Sequence, residues 1–490
     1  MQQQILSLYH QFFGCEPTAE EPIAGSAGNR KYLRLYDAQG NSVIGVGCSD
    51  AKEMSAFCEL AHSMGQQGLP VPQVLVAEGD CYLQQDLGKV SLYDLIARCQ
   101  KVGEWDEATV SVLRQVMRDL PHLQDQGLLG FDLSHCCRES YFSADTIRWD
   151  LNYFKYCFLK GTGVDIDEMA LQRDFDRLEQ HLLHIYEKYD KRFFLYRDFQ
   201  SRNVLVHEGK PYYIDFQAGY NGPLHYDVAS FLWQTRAAYP EPLRQTLLDV
   251  YIDELQKVVD VDATAFRQEL DQYVFFRQLQ VLGAYGYRGI FEHKAAFLSP
   301  IWQTLLAIKQ SGLEYAYIHQ LLDAIADTPF GQAIRAAQEQ KPGAPLVVRI
   351  CSFSYKKGIP ADFSGNGGGF VFDCRAPHNP GRYAEYKHLT GLDQPVIDFL
   401  EGRDTNPEHK PFGTELTMPQ FLEHVYALVD PAVETYLTRG FTNLMVSFGC
   451  TGGQHRSVYG AQHLAEHLKS LHPDLRIQLT HREQNIYMEL

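Results

Sequence analysis

The sequence predicts two domains, an α+β body in two lobes followed by a smaller α/β domain. Three observations predict this. The chain has 490 residues, and a single core rarely grows past roughly 250–300. A seam, Glu339-Gln340-Lys341-Pro342-Gly343-Ala344-Pro345, follows a helical stretch and precedes the apolar run Leu346-Val347-Val348-Arg349-Ile350. The patterning also differs across it: a strand-rich start with a helical remainder before, alternating strands and helices after. The expected boundaries are residues 1–338 and 345–490.

In order along the chain, the first ~90 residues read as strands, with a helix near Ala51–Gln67. Asp106–Leu120 and Glu168–Tyr189 carry apolar residues at helical spacing. Beyond the seam, Asn443–Phe448 reads as a buried strand and Val458–Leu471 as an amphipathic helix. Apolar residues make up 45% and charged residues 21%, which excludes disorder as the default state. Eleven scattered cysteines without a Cys-x-x-Cys pair signal neither a disulfide framework nor a zinc ribbon. There is no run of ~18 apolar residues to span a membrane. The start, MQQQILSLYHQFFG, lacks the marks of a signal peptide. A cytoplasmic setting is expected. The net charge is −17, of which only −3 falls in residues 343–490 (13 basic, 16 acidic), so general polyanion binding is disfavoured.

The strongest chemical signal is Phe194-Leu195-Tyr196-Arg197-Asp198-Phe199-Gln200-Ser201-Arg202-Asn203-Val204-Leu205-Val206, followed by Tyr212-Tyr213-Ile214-Asp215-Phe216. Two apolar runs bracket a polar loop, and a second acid follows. Phosphoryl transfer needs a base to orient the acceptor hydroxyl and oxygen ligands for magnesium. Asp198 suits the first task; Asn203 and Asp215 suit the second. Singly, each residue is as well explained as a turn cap; the combined spacing is what carries the reading.

This stretch resembles the aminoglycoside phosphotransferase/choline kinase family, with its Gly-Asp-x-x-x-x-Asn loop, its Ile-Asp, and a further Asp downstream. That further Asp is Asp227, in Gly222-Pro223-Leu224-His225-Tyr226-Asp227-Val228-Ala229. The resemblance covers roughly residues 1–335. It implies a protein-kinase-like two-lobed fold, ATP and Mg²⁺ as cofactors, and Asp227 as a structural support. In the family, the turn Ala24-Gly25-Ser26-Ala27-Gly28-Asn29-Arg30-Lys31 covers the nucleotide phosphates, so Ser26, Ala27, Gly28, Asn29, Arg30 and Lys31 are the expected ATP contacts. The next strand, Ser42-Val43-Ile44-Gly45-Val46-Gly47, lacks the family's lysine. Arg30 or Lys31 is expected to supply its charge, and Glu53 matches the acid that would partner it. Within the family, the lysine-free lobe looks most like the AmgK-type anomeric N-acetylmuramate/N-acetylglucosamine kinases. That likeness implies a sugar 1-hydroxyl as acceptor. Asp145–Asp150, Tyr153 and Tyr156 are candidate sugar contacts, set against a plainer reading as core and surface.

A second signal is Gly449-Cys450-Thr451-Gly452-Gly453-Gln454-His455-Arg456-Ser457 between a strand and a helix. That geometry aims free N–H groups at an anion, and Arg456 adds a charge suited to phosphate. Cys450-x5-Arg456-Ser457 also fits a thiolate phosphatase loop. The blocks Ser352–Pro360, Phe370–Arg375, Asn379-Pro380, Leu389–Val396, Gly449–Val458 and His481–Glu483 look like the C-terminal domain of RapZ, the amino-sugar-sensing RNase adaptor. The likeness implies a phosphorylated amino sugar as ligand. Cys450, Thr451, Gly452, His455 and Arg456 would hold phosphate, and Asp373 and Arg375 the sugar or its phosphate. RapZ's P-loop domain and its basic tail have no counterpart here, so RNA is not an expected partner. The expected function is an ATP-dependent amino-sugar kinase with a second, sugar-phosphate-binding domain. The competing classes are a pseudokinase sensor and an RNase-adaptor-like protein.

Overall fold

Strict alternation along Arg30-Lys31-Tyr32-Leu33-Arg34-Leu35-Tyr36 sends Leu33 and Leu35 to one side of a sheet and Arg30, Tyr32 and Arg34 to the other. In this computed structural model, which describes residues 1–23, 30–189, 192–339, 344–363, 368–409 and 416–490, that segment is a central strand. The strands Ala19–Ile23 (β1), Arg30–Tyr36 (β2), Ser42–Cys48 (β3), Val74–Glu78 (β4) and Cys81–Gln85 (β5) form an antiparallel sheet in the order β1-β2-β3-β5-β4.

The sheet's outer face is covered by an N-terminal helix, Gln2–Phe13 (α1), which the strand-rich reading of this region passed over. Ile5, Leu8 and Tyr9 of α1 pack on Leu33, Leu35 and Leu83. Gly45 and Gly47 of β3 make room for it. A Cβ at Gly45 would land on Ile5 Cγ2, and one at Gly47 on the Met1 side chain. The other face meets the helix Ala51–Gln66 (α2), begun by Asp50, whose carboxylate accepts the N–H groups of Lys52 and Glu53. Phe57 of α2 stacks on Tyr82 and on Phe216, with ring centres 5.0 and 4.8 Å apart.

The rest of this unit is helical, as the spacing predicts, apart from two small ladders. Phe194–Leu195 (β6) and Val204–His207 (β7) flank the 196–203 loop. Lys210–Tyr213 (β8) pairs antiparallel with β7, and Tyr220–Asn221 (β9) with β6. The helix Glu107–Gln126 is fixed by the buried Gln124 side chain, which donates to Leu224 O at 2.9 Å and accepts from the Tyr251 hydroxyl at 2.7 Å.

By packing, the chain divides into two compact units. The first is Met1–Lys160, Val164–Ala284 and Gln303–Asp323; the second is Gly161–Gly163, Tyr285–Trp302 and Ala324–Leu490. The second therefore includes the helix Pro329–Glu339, where Phe330 meets Phe363 edge-on at 4.8 Å. Its sheet comprises Val347–Ser354 (β10), Gly369–Asp373 (β11), Asn443–Cys450 (β12), Arg476–His481 (β13) and Ile486–Glu489 (β14), in the order β11-β12-β10-β13-β14. The first four are mutually parallel; β14 is antiparallel. Its core includes Val348, Ile350, Val446 and Ile477 from the strands and Leu464 and Leu468 from the helix Arg456–Leu471. All eleven cysteines are free thiols, and no helix among the described residues is long and apolar enough to cross a membrane.

Ser352 and His481 stand opposite each other on β10 and β13. Ser352 Oγ lies 3.0 Å from His481 Nδ1, and Nε2 lies 3.3 Å from Gln462 Oε1. Gln462 Oε1 can only accept, so Nε2 carries the proton and Ser352 donates to Nδ1. Burial pushes the His481 imidazole down to about 4.

Two expectations follow from this packing. Gly45→Ala should drive α1 off the sheet and cost about 1–3 kcal/mol, read by urea unfolding; unchanged stability would contradict the packing. Because the folded His481 value lies below the unfolded one, its contribution is complete above about pH 6.5 and is lost as pH falls toward 4. The loss should be on the order of 2 kcal/mol, seen in thermal unfolding from pH 8 to 4 and flattened in His481→Gln. Superimposable acid limbs for the two proteins would refute it.

Candidate active site and C-terminal binding loop

The 196–203 loop is held from beneath by Asp227, on the helix Leu224–Leu232 and fully buried. Its Oδ2 accepts the Tyr196 N–H at 2.7 Å and its Oδ1 the Arg197 N–H at 3.0 Å. Burial pushes this carboxyl up to about 7, while the two backbone donors pull the other way. Arg197 itself has a left-handed backbone, φ 77°. Its guanidinium donates to Asp150 Oδ1 at 2.9 Å and to the Tyr220 hydroxyl at 3.1 Å. Neither Asp150 nor Tyr220 was singled out for this role from sequence. The arginine immediately before Asp198 was the available signal.

Asp198 is half-buried, and its Oδ1 accepts from Gln200 Nε2 at 3.1 Å. Asn203 Nδ2 donates to the Asp198 backbone carbonyl at 2.9 Å, which leaves the Asn203 amide oxygen free of that bond. The Asn203 carbonyl accepts the Ile214 N–H at 3.0 Å, so Asn203 sits across from the residue before Asp215. The Tyr196 hydroxyl donates to the Ile214 carbonyl from the other side. Burial first, then the negative charges of Asp215, Asp227 and Asp198, raise the Tyr196 phenol far above its usual value. All three carboxylates act on one tyrosine, and Asn203 is tied to the segments of Asp198 and Asp215. Asp215 is also left-handed, φ 69°, a strained backbone for a residue with a Cβ.

On the sheet side, Arg30 donates to Glu53 of α2 and lies 3.6 Å from Asp215 Oδ1. Gln217, another residue sequence reasoning did not single out, bridges Glu53 at 3.3 Å and Asp215 at 3.0 Å. Lys31 is exposed on β2. Ser26, Ala27, Gly28 and Asn29 lie outside the described residues.

The second unit has its glycine loop where strand–loop–helix geometry predicts it, between β12 and the helix Arg456–Leu471, at the C-terminal ends of the parallel strands. A cavity of about 500 Å³ opens there, lined by Ser354, Lys356, Lys357, Thr390, Gly452 and Gln454, with Glu483 and Gln484. Of the seven expected ligand residues, Gly452 lines it. Thr451 is exposed beside it, and its carbonyl accepts from Ser354 Oγ at 2.7 Å.

Three expected phosphate contacts instead face inward. Arg456 Nη1 donates to the carbonyls of Arg375 and Pro377 at 2.8 and 2.7 Å. His455 Nε2 lies 2.9 Å from the Tyr386 carbonyl. Cys450 Sγ accepts the Gly453 N–H at 3.2 Å and lies 3.1 Å from Ser457 Oγ. The reason is geometric: the backbone carbonyls of Arg375, Pro377 and Tyr386 and the amide of Gly453 need partners, and these side chains supply them. The phosphatase reading is weakened on the same point, since Arg456 Nη1 is held by backbone carbonyls. Burial pushes the Cys450 thiol up, but Ser457 and Arg456 outweigh it and leave it below its usual value. Asp373 and Arg375 are exposed and paired with each other at 2.7 Å, with the Arg375 guanidinium over the Tyr355 ring.

Two stretches of the chain are similar to known families. Residues 20–261 match the model of the phosphotransferase enzyme family, and residues 346–485 that of the RapZ C-terminal domain. A nucleotide-binding protein of Alteromonas mediterranea is 35% identical over 168 residues, 34% of this chain and 50% of that protein. The chain thus spans about half the length of the curated relatives it matches. Among solved structures, an amicoumacin kinase in complex with AMP-PNP, Ca²⁺ and Ami has a TM-score of 0.44 at 14% identity, covering 67% of this chain and 96% of that one. A choline kinase from Cryptosporidium parvum has a TM-score of 0.45 at 11% identity, covering 66% and 100%. The buttressed Asp-x4-Asn loop with its following Ile-Asp therefore lies within a phosphotransferase-family domain, and the chain joins that domain to a RapZ C-terminal domain.

Proposed function

We propose that the first domain is an ATP- and Mg²⁺-dependent kinase that phosphorylates the anomeric hydroxyl of an amino sugar. The observation that carries this is the grouping of Asp198, Asn203 and Asp215 around Tyr196 and Ile214, fixed from below by Asp227. The donor set suits Mg²⁺, which takes oxygen ligands, commonly one or two carboxylates with nucleotide phosphates completing its shell. Asp215 and the Asn203 amide oxygen would hold it, and the bound ion would neutralise charge on the transferring phosphoryl group.

Asp198 receives the acceptor hydroxyl's proton, its carboxylate oriented by Gln200. Asp150 and Tyr220 keep Arg197 from swinging, which fixes the backbone on the N-terminal side of Asp198. Support for a sugar acceptor comes from the helix Ala144–Phe154 that carries Asp150. Trp149 on that helix is 55% exposed and stacks on Tyr153 with ring centres 5.4 Å apart, a flat apolar face of the kind a pyranose ring covers. The ion-paired Arg30 weighs against the pseudokinase reading, because a cation stands beside Glu53 and Asp215, where this reading puts the nucleotide phosphates.

For the second domain, the cavity with Lys356 and Lys357 supports a phosphorylated amino sugar as ligand. Since both domains then handle amino sugars, the second would report metabolite level to the first, and the coupling would be reciprocal.

A panel of amino sugars with ATP and Mg²⁺, with product position fixed by NMR, tests the acceptor. Asp198→Ala should lower turnover by about 10²–10⁴-fold while nucleotide binding stays near wild type; turnover at the wild-type rate would remove Asp198 from its role. Glucosamine-6-phosphate should raise the melting temperature of the full chain, and Lys356→Glu with Lys357→Glu should abolish that rise. A shift that survives both charge reversals would place the ligand elsewhere.

A further inference from the structure

On β3, the residues that share a face with α2 are Ile44, Val46 and Cys48, all apolar and buried. No cation stands on that strand. In register with Cys48, on the neighbouring strand β2, stands Arg30. Its side chain is only 8% exposed. Nη2 reaches Glu53 in the first turn of α2. Nη1 donates to the Tyr32 hydroxyl at 3.2 Å and lies 3.6 Å from Asp215 Oδ1. Gln217 closes the circuit by donating to both carboxylates. The Gln217 Oε1 atom is buried without a hydrogen-bond partner among the described residues. Lys31, the alternative cation, pairs in register with Gly47, on the α1 side of the sheet, and is exposed.

A buried guanidinium is costly unless it is paired. Arg30 is paired to the acid on α2 that would otherwise anchor a β3 lysine, and it also touches the expected metal ligand. Neighbouring strands lie about 4.8 Å apart, a gap that the longer arginine fork can span. The geometry points to Arg30 as the cation that grips the phosphates of a bound nucleoside triphosphate, working from β2 in place of a β3 lysine. Glu53 and Gln217 act as positioning residues that aim it. The inference rests on the kinase reading above.

The test is isothermal titration of the full chain with AMP-PNP plus Mg²⁺ and, separately, with adenosine, which lacks phosphates. Arg30→Ala should weaken AMP-PNP about tenfold or more and leave adenosine within about twofold, as expected for lost charge-assisted bonds. Arg30→Lys should recover part of the affinity, and Glu53→Gln should lose a few-fold for AMP-PNP alone. Unchanged AMP-PNP affinity in Arg30→Ala, or equal losses for both ligands, overturns the assignment. If Arg30→Ala does not fold, the lysine and Glu53 variants decide: no phosphate-specific loss in either one overturns it. A wild-type chain that binds neither ligand removes the kinase reading itself, and the inference with it.

Discussion

Both oxygens of Asp227 are occupied by backbone N–H groups of the 196–203 loop, and the carboxylate has no access to water. A carboxylate in that position is stable only while both donors stay in place, because an unpaired buried charge is penalised by several kcal/mol. The loop is therefore held to one conformation at its root. Arg197 is forced into a left-handed backbone there, and its guanidinium is then captured by Asp150. Asp198, next in the chain, has its backbone placed by these two locks, while Gln200 orients its carboxylate. The Asn203 side chain and the Tyr196 hydroxyl carry the same constraint across to Ile214 and so to Asp215.

A second constraint acts from the opposite side. The sheet of the first unit is sandwiched between α1 and α2, and its two faces are chemically distinct. Glycines at 45 and 47 admit α1 on one face, while the register of β2 against β3 sets Arg30 on the other. The same strand geometry thus explains a packing feature and a charge feature. The acids of the cleft, Glu53 and Asp215, meet one arginine between them, so one of their two charges is offset in the absence of any ligand.

The glycine loop of the second unit follows a related logic with a different outcome. Its large polar side chains, His455 and Arg456, are spent inside on backbone carbonyls. What faces the cavity is Gly452 of the loop, with Gln454 and, from beyond β10, Lys356 and Lys357. A residue type suited to phosphate is not thereby placed at the cavity. The neighbouring backbone at Arg375, Pro377 and Tyr386 makes prior demands for hydrogen-bond partners, and these donors meet them first.

The motif Asp-x4-Asn with Ile-Asp was legible because a local spacing encodes it, and the strand–glycine–helix order near the C-terminus was legible for the same reason. The helix α1 carried a readable signal in Ile5, Leu8 and Tyr9, three and four residues apart, but its short length let the strands beyond it dominate. By itself, then, the sequence determined the likeness of the two parts of the chain to a phosphotransferase and to a RapZ C-terminal domain, and the spacing of the loop acids, since these depend on composition and on neighbours along the chain. Only the tertiary structure decided that Arg30 rather than Lys31 meets Glu53, that Asp150 locks Arg197, and that Arg456 turns inward. Each of those outcomes depends on strand register or on contact between residues dozens of positions apart, which no local pattern of residues specifies.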